Sequence, residues 1–451
     1  MAEDDAEKNP EDELRDMLRD ILSGADGVDM SKLAGVAGLP SDPASLAGLM
    51  RQLQAAMSAS GDGVNWDVSM EQAKSIALST VKPVSAIQQA EVDQAFHVAG
   101  LWLSDATAVS ELATDAALIT RLEWIEQTMP FWTQLAEPVS LSIANALTTV
   151  LRDQAPEEMR GMVENAAGLM KQIGGSLFAM QLGHVVGQLS SEVVSGGDVG
   201  IPLLEEGRAA LLPQNMAEFG EGLDIPMDQV HLYLAVRELA HARLFKHARW
   251  LRLNLISAIH DFAQGITIDL SRVEDIANNF DPQDPEDLKN ALASGALIPP
   301  KSEEQLAALA RLETQLALIE GWVDVVTNQA TSRLPRASAI AETVRRRRAS
   351  GGPAESAFAT LVGLELRPRR LREASAMWQA VTDAVGVEAR DALWSHPDMM
   401  PTTDDLDNPA ALIARLEAAA RGEAPAPDEM DRALQDLLDG NLPPVDESND
   451  E

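Results

Sequence analysis

Between residues 309 and 326 the apolar side chains Leu309, Leu312, Leu316, Ile319, Val323 and Val326 recur three and four positions apart. That spacing lines one face of an α-helix and cannot line one face of a strand. Strand-like alternation is scarce in the rest of the chain, so the sequence predicts a mainly α, multihelical fold with minimal strand. A second segment narrows the architecture. Ile173 to Val194 is mostly apolar, has no Lys or Arg, and carries a small residue every four positions: Gly175, Ala179, Gly183, Gly187 and Ser191. Such a stripe lets another backbone approach closely. Gln181, His184, Gln188 and Glu192 interrupt the segment, and hydrocarbon tolerates such groups poorly. It is therefore expected to be a central buried helix and no membrane span.

Proline marks the expected helix boundaries, because it disfavours helical continuation. Lys82-Pro83, Met129-Pro130, Glu137-Pro138 and Gln154-Ala155-Pro156 are read as breaks, as are Asp281-Pro282, Asp284-Pro285 and Pro299-Pro300. Ser195 to Pro202 reads as a loop. The stretch from Leu212-Pro213 to Pro226 is the place where a short hairpin is expected. The next helix is expected to start near Met227-Asp228, with Asp228 complementing its positive end, and to run through Trp250 towards Asp261. Three regions follow: an acidic, largely flexible segment 1–65 with a short helix at Glu13–Ser23, a helical domain 66–420, and an acidic tail 421–451.

The formal charge is −36, and the ends are dense in it: residues 1–30 hold eleven acids against three bases, and residues 421–451 hold ten against two. Phosphates would be repelled by such a chain, so nucleic acid is not expected as the partner. One segment reverses the sign. From Arg333 to Arg372 there are ten Arg against three Glu, including Arg345-Arg346-Arg347-Arg348. In so acidic a chain its expected role is docking on carboxylates, with phosphate binding as the alternative. The absence of cysteine removes disulfides and thiolate chemistry. With an acidic start unlike a secretory signal, it points to the cytoplasm.

The chemistry-bearing motif is Arg237-Glu238-Leu239-Ala240-His241. It is the zinc-protease signature H-E-x-x-H with Arg in place of the first histidine. The intact motif works because residues four apart lie about 40° apart around a helix, so two imidazoles share one metal. A guanidinium has no acceptor lone pair and cannot take that role. His231 shares a face with Glu238, and Glu320 lies at the edge of the leucine seam, where it is a ligand candidate. His247 follows His241 by six residues, about 240° of rotation in an unbroken helix, and is read as a packing residue.

Several longer segments carry a resemblance. Residues 237–245 with Trp250-Leu251-Arg252, the glycine-striped helix with Gly200-Ile201-Pro202-Leu203, and the run from Ala317 to Asp324 resemble the zincin-like family of hydrolases found in actinobacteria. Gly351-Gly352-Pro353, Leu364 to Arg370 and His396-Pro397-Asp398 also fit, so the likeness spans about residues 65–420. The resemblance implies a zincin-like metallopeptidase fold, related to a group associated with deazaflavin-coenzyme biosynthesis. It also implies zinc as cofactor, a peptide or protein substrate, Glu238 as general base, and His241 and Glu320 as metal ligands. Arg237 departs from that pattern. Two functions follow: a zinc-dependent hydrolase, or an inactive interaction protein in which Arg237 replaces the metal. Electrostatics favours an Arg237 guanidinium gripping Glu320, with Asp324 as a second acceptor.

Overall fold

Two two-residue strands and twelve α-helices make up the regular structure among the described residues. The computed structural model describes residues 64–154, 160–265, 301–352, 356, 359, 361–423, 435 and 438–439. The expected helix at Glu13–Ser23, the flexible ends and the breaks at Asp281, Asp284 and Pro299 lie outside them. In order, the elements are α1 (Asp67–Leu78), α2 (Ala86–Ser104), β1 (Ala117–Leu118), α3 (Arg121–Gln154), α4 (Arg160–Glu192), β2 (Ala210–Leu211) and α5 (Pro213–Gly220). Then come α6 (Met227–His247), α7 (Trp250–Gln264), α8 (Glu303–Ala330), α9 (Ala337–Ser350), α10 (Leu371–Ala392), a 3-10 turn (Pro397–Met399), α11 (Thr403–Asp407) and α12 (Pro409–Ala420). The fold is mainly α, and no helix among the described residues is long and apolar enough to cross a membrane.

The chain divides into two units: residues 1–66, 140–179 and 266–301, and residues 67–139, 180–265 and 302–451. In the first, Trp66 meets Phe178 edge-on at 6.3 Å, and Val64 packs over Gly175. The second holds the motif helix. There α6 packs on α2 and α8, and α8 packs also on α7 and α10. Ser302 and Gln305 start α8 with a capping box, which satisfies two of the amides a helix leaves open at its N-terminus. The small-residue stripe works as its spacing suggests. A side chain at Gly183 would collide with the backbone of Ser69, and one at Gly187 would press on Ala73, so α1 lies directly on α4.

Three expectations are corrected. The chain does not break at Pro130 or Pro138, since α3 runs through both. Each proline forfeits a helix hydrogen bond, but Met129, Phe131, Trp132, Leu135 and Val139 are all buried around them. Burying a large apolar side chain is worth about 1.5–3 kcal/mol, so the packing outweighs the lost bonds. No hairpin occupies 212–226. Pro213 instead begins α5, where its fixed φ and missing N–H suit a first helical position. The strands lie before that stretch, β2 pairing in parallel with β1, and Ser195 bridging Leu211. Lastly, α6 stops at His247: Ala248 leaves helical geometry at φ −98° and ψ 66°. A new helix begins at Trp250, whose indole donates to the Trp394 carbonyl at 3.1 Å.

Candidate functional site

From Tyr233 to Leu244 every residue of α6 is buried. A helix apolar on one face only would leave its charges in water; this one carries Arg237, Glu238, His241 and Arg243 into the interior. Buried charges need partners, and the structure supplies one set for each. Arg243 donates to Ser104 Oγ at 3.2 Å and to the Gly100 carbonyl at 3.1 Å. Glu238 accepts from the backbone amides of Gly197 (2.8 Å, on Oε2) and Ala210 (2.9 Å, on Oε1). It therefore ties the loop after α4 and strand β2 to the motif helix. Burial pushes its acid up, and those amides with Ser195 and His241 pull it part of the way back.

The remaining two converge on Glu320 of α8, which is wholly buried. The sequence placed it at the edge of the seam. It is enclosed because residues Gln315 to Thr327 of α8 are buried all round. Arg237 Nη2 donates to Glu320 Oε2, and His241 Nε2 lies 3.0 Å from Glu320 Oε1. Arg348 of α9 adds a second guanidinium at 3.8 Å and anchors itself on the Val199 carbonyl at 2.9 Å. Burial alone would raise the Glu320 acid, but Arg237, Arg348 and His241 override it and hold it well below the usual carboxylate range. The converse holds for Arg237: burial works against its charge, and Glu320 more than restores it. Gly200, at φ +82°, closes over the pair. Any side chain there would meet Glu320 Oε1 and Arg348, so the left-handed turn and the close approach both require glycine.

Asp324 is not the second acceptor for Arg237. Arg345 takes it bidentately, Nε to Oδ1 at 3.1 Å and Nη2 to Oδ2 at 3.0 Å. Arg347 pairs with Asp198 at 2.9 Å, so three members of the arginine run dock on carboxylates of the same chain, while Arg346 faces solvent beside Glu342. His231 is half-buried, its imidazole acidified by burial against the pull of Glu91 and Asp228. His247 is exposed. Neither joins Glu320. A shallow cleft of about 60 Å³ opens beside the motif, walled by Gly197, Leu204, Glu238, His241, Phe245 and Arg252.

The sequence pattern of the zincin-like metallopeptidase family matches residues 64–413. The chain belongs to that family. Among curated proteins none matches it in sequence. Its fold is similar to that of a crystallised candidate hydrolase with a novel fold from Chloroflexus aurantiacus, at 19% identity, a TM-score of 0.54, and 78% of this chain against 99% of that one.

A zincin fold implies zinc, and the donor set here does not fit it. A catalytic zinc needs three protein ligands with an open position. Among the described residues no three His, Asp or Glu side chains gather to hold an ion. His241 and Glu320 are already bonded to each other, and a dication between them would face the guanidiniums of Arg237 and Arg348. What the sequence missed is the rest of this arrangement. Arg348 was hidden in a run of four arginines. The amides of Gly197 and Ala210 carry no side-chain signal, although the adjacent glycines 196 and 197 mark where the loop comes within contact of Glu238.

Proposed function

We propose that this chain is a non-hydrolytic member of its family, a protein that binds a peptide or protein partner and in which the Arg237 guanidinium supplies the positive charge a metal would bring. The observation that carries this reading is the grip of Arg237 on Glu320, the same carboxylate that receives His241. A guanidinium gives charge and directional donors but activates no water. Glu238 is also engaged at both oxygens by backbone amides, which suits a structural brace better than a general base. Arg345, Arg347 and Arg348 of α9 are engaged by Asp324, Asp198 and Glu320, which supports a partner other than nucleic acid. With no cysteine in the chain, a reducing cytoplasm is the compartment proposed.

The second reading, a zinc-dependent hydrolase, draws on one observation: Glu238 and His241 line the same cleft. Metal analysis separates the two. Tag-free parent protein is expected to hold far less than one zinc per chain, while Arg237→His, which puts two imidazoles one helical turn apart facing Glu320, gains zinc. Stoichiometric zinc in the parent, with cleavage of peptides, would overturn the non-hydrolytic reading.

A further inference from the structure

A second cavity, of about 210 Å³, shares no lining residue with the cleft beside the motif. It forms where the chain leaves β1 and β2, at Ile119 and Leu212, to enter α3 and α5, with the connection from α1 to α2 on its other side. One wall is the face carrying Gln214, Ala217 and Glu218 of α5 and Glu221 just after it. That wall has opposite electrical ends. At its start α5 has no side-chain cap, and the amides of Gln214 and Asn215 have no acceptor among the described residues. The positive end of the helix dipole lies there, and so does Lys82, whose amide donates to Gln214 Oε1 at 2.9 Å. Glu221 lines the cavity at the opposite end. Between the ends Arg121, only 4% exposed, donates once from each nitrogen, to Asn215, Thr80 and Glu218. A guanidinium has five N–H groups, so two are left over. Arg121 and Glu218 neutralise each other at 2.6 Å, whereas Lys82 and Glu221, both exposed, have no ion-pair partner among the described residues.

We propose that this cavity binds a small zwitterion, an ω-amino acid with its carboxylate at the Lys82 end and its ammonium at Glu221. The carboxylate takes the Lys82 ammonium, the open amides of α5 and the spare N–H groups of Arg121. The four charged side chains that line the cavity, Lys82, Arg121, Glu218 and Glu221, sum to zero. A simple anion would leave Glu221 unanswered and a simple cation would leave Lys82 so; a ligand carrying both charges answers each. The span sets the length. From Gln214 to Glu221 the helical rise gives about 10 Å, and a charge-assisted bond takes up about 3 Å at either end. The ligand's own charges should then stand about 5 Å apart, further than an α-amino acid can place them, since its two charged groups share one carbon. Val84, Ile119 and Leu212 form apolar wall, which suits the intervening methylenes. The space is ample, since one water requires about 10–15 Å³ on this measure. The inference stands whether or not the chain holds zinc, because no residue of the motif takes part in it.

The test is calorimetric titration of the full-length, tag-free chain with 4-aminobutanoate, butanoate, butylamine and glycine. 4-Aminobutanoate is expected to bind about tenfold tighter than butylamine, as loss of the charge-assisted bonds at the Lys82 end implies. Its advantage over butanoate should be smaller, about threefold, because Glu221 offers only an exposed pair. Glycine, too short to reach both ends, should bind no better than butanoate. Glu221→Gln should erase the advantage over butanoate, and Lys82→Met should shrink the advantage over butylamine. Both side chains are exposed, so neither substitution should disturb folding. The proposal is overturned by the absence of saturable binding at millimolar concentration, by a zwitterion no tighter than butanoate and butylamine, or by an undiminished advantage over butanoate in Glu221→Gln.

Discussion

Two buried carboxylates in the same unit, Glu320 on α8 and Asp391 on α10, solve the cost of burial in opposite ways. Asp391 accepts four hydrogen bonds: from Thr107 Oγ1 (2.6 Å), the Ala108 amide (2.7 Å), Trp322 Nε1 (2.8 Å) and Arg390 Nε (2.7 Å). One of the four donors is a cation, so charge balances within the cluster, and tryptophans 322, 378 and 394 pack around it with centroids 5.3–6.5 Å apart. Glu320 is met by two guanidiniums and an imidazole from two other helices. A cleft that Glu238 and His241 line opens next to them. The first arrangement welds loop 106–108 and α8 to α10. The second sets two guanidiniums from α6 and α9 against a single carboxylate of α8.

If the contrast is right, Asp391→Ala should be the most damaging change. It removes four acceptor contacts and leaves Arg390, fully buried, without its carboxylate. Breaking a buried pair costs about 3–5 kcal/mol, and this variant is expected at the upper end in denaturant titration. Arg237→Ala should cost less, about 3 kcal/mol, because Arg348 and His241 remain on Glu320. A larger loss for Arg237→Ala than for Asp391→Ala would reverse the comparison. The smallest effect is in acid. The Glu320 acid lies below its unfolded value, so the unfolded chain binds the proton first. Its stabilisation is complete above the usual carboxylate range and fades as the solution is acidified from about pH 5. Arg237→Met should flatten that part of the stability profile, measured by thermal unfolding at a series of pH values. An unchanged slope would show that Arg348 alone holds Glu320 ionised.

How much of this was legible depended on whether a residue's role is local. The seam of α8 was readable because Leu312, Leu316, Ile319, Val323 and Val326 repeat the helical period, and all are buried. The pairing of Arg237 with Glu320 followed from charge logic: a motif without its cation needs another. That Glu320 is enclosed was not readable, since α6, α7 and α10 all pack on α8 and periodicity reports one face only. Pro130 and Pro138 misled because a proline states a local cost and is silent about the burial of Phe131 and Trp132 that outweighs it. The end of α6 at Ala248 was invisible for the opposite reason: neither proline nor glycine marks it, and apolar residues continue through Leu251 and Leu255. Asp324 was assigned to the wrong arginine because a run of four offers no clue to which members face inward until the phase of α9 is known.

The docking of α9 has a consequence for recognition. Arg345, Arg347 and Arg348 fasten it to Asp324, Asp198 and Glu320, and Arg348 also holds the Val199 carbonyl. The loop carrying Asp198, Val199 and Gly200 is thereby set before any partner arrives, along with Gly197 beside it in the cleft wall. Freezing a wall on association subtracts from affinity, at about 0.5–1.5 kcal/mol for each rotamer-rich side chain immobilised. A wall already at rest leaves that loss to the folding of the chain itself, so a ligand making few contacts can still be held.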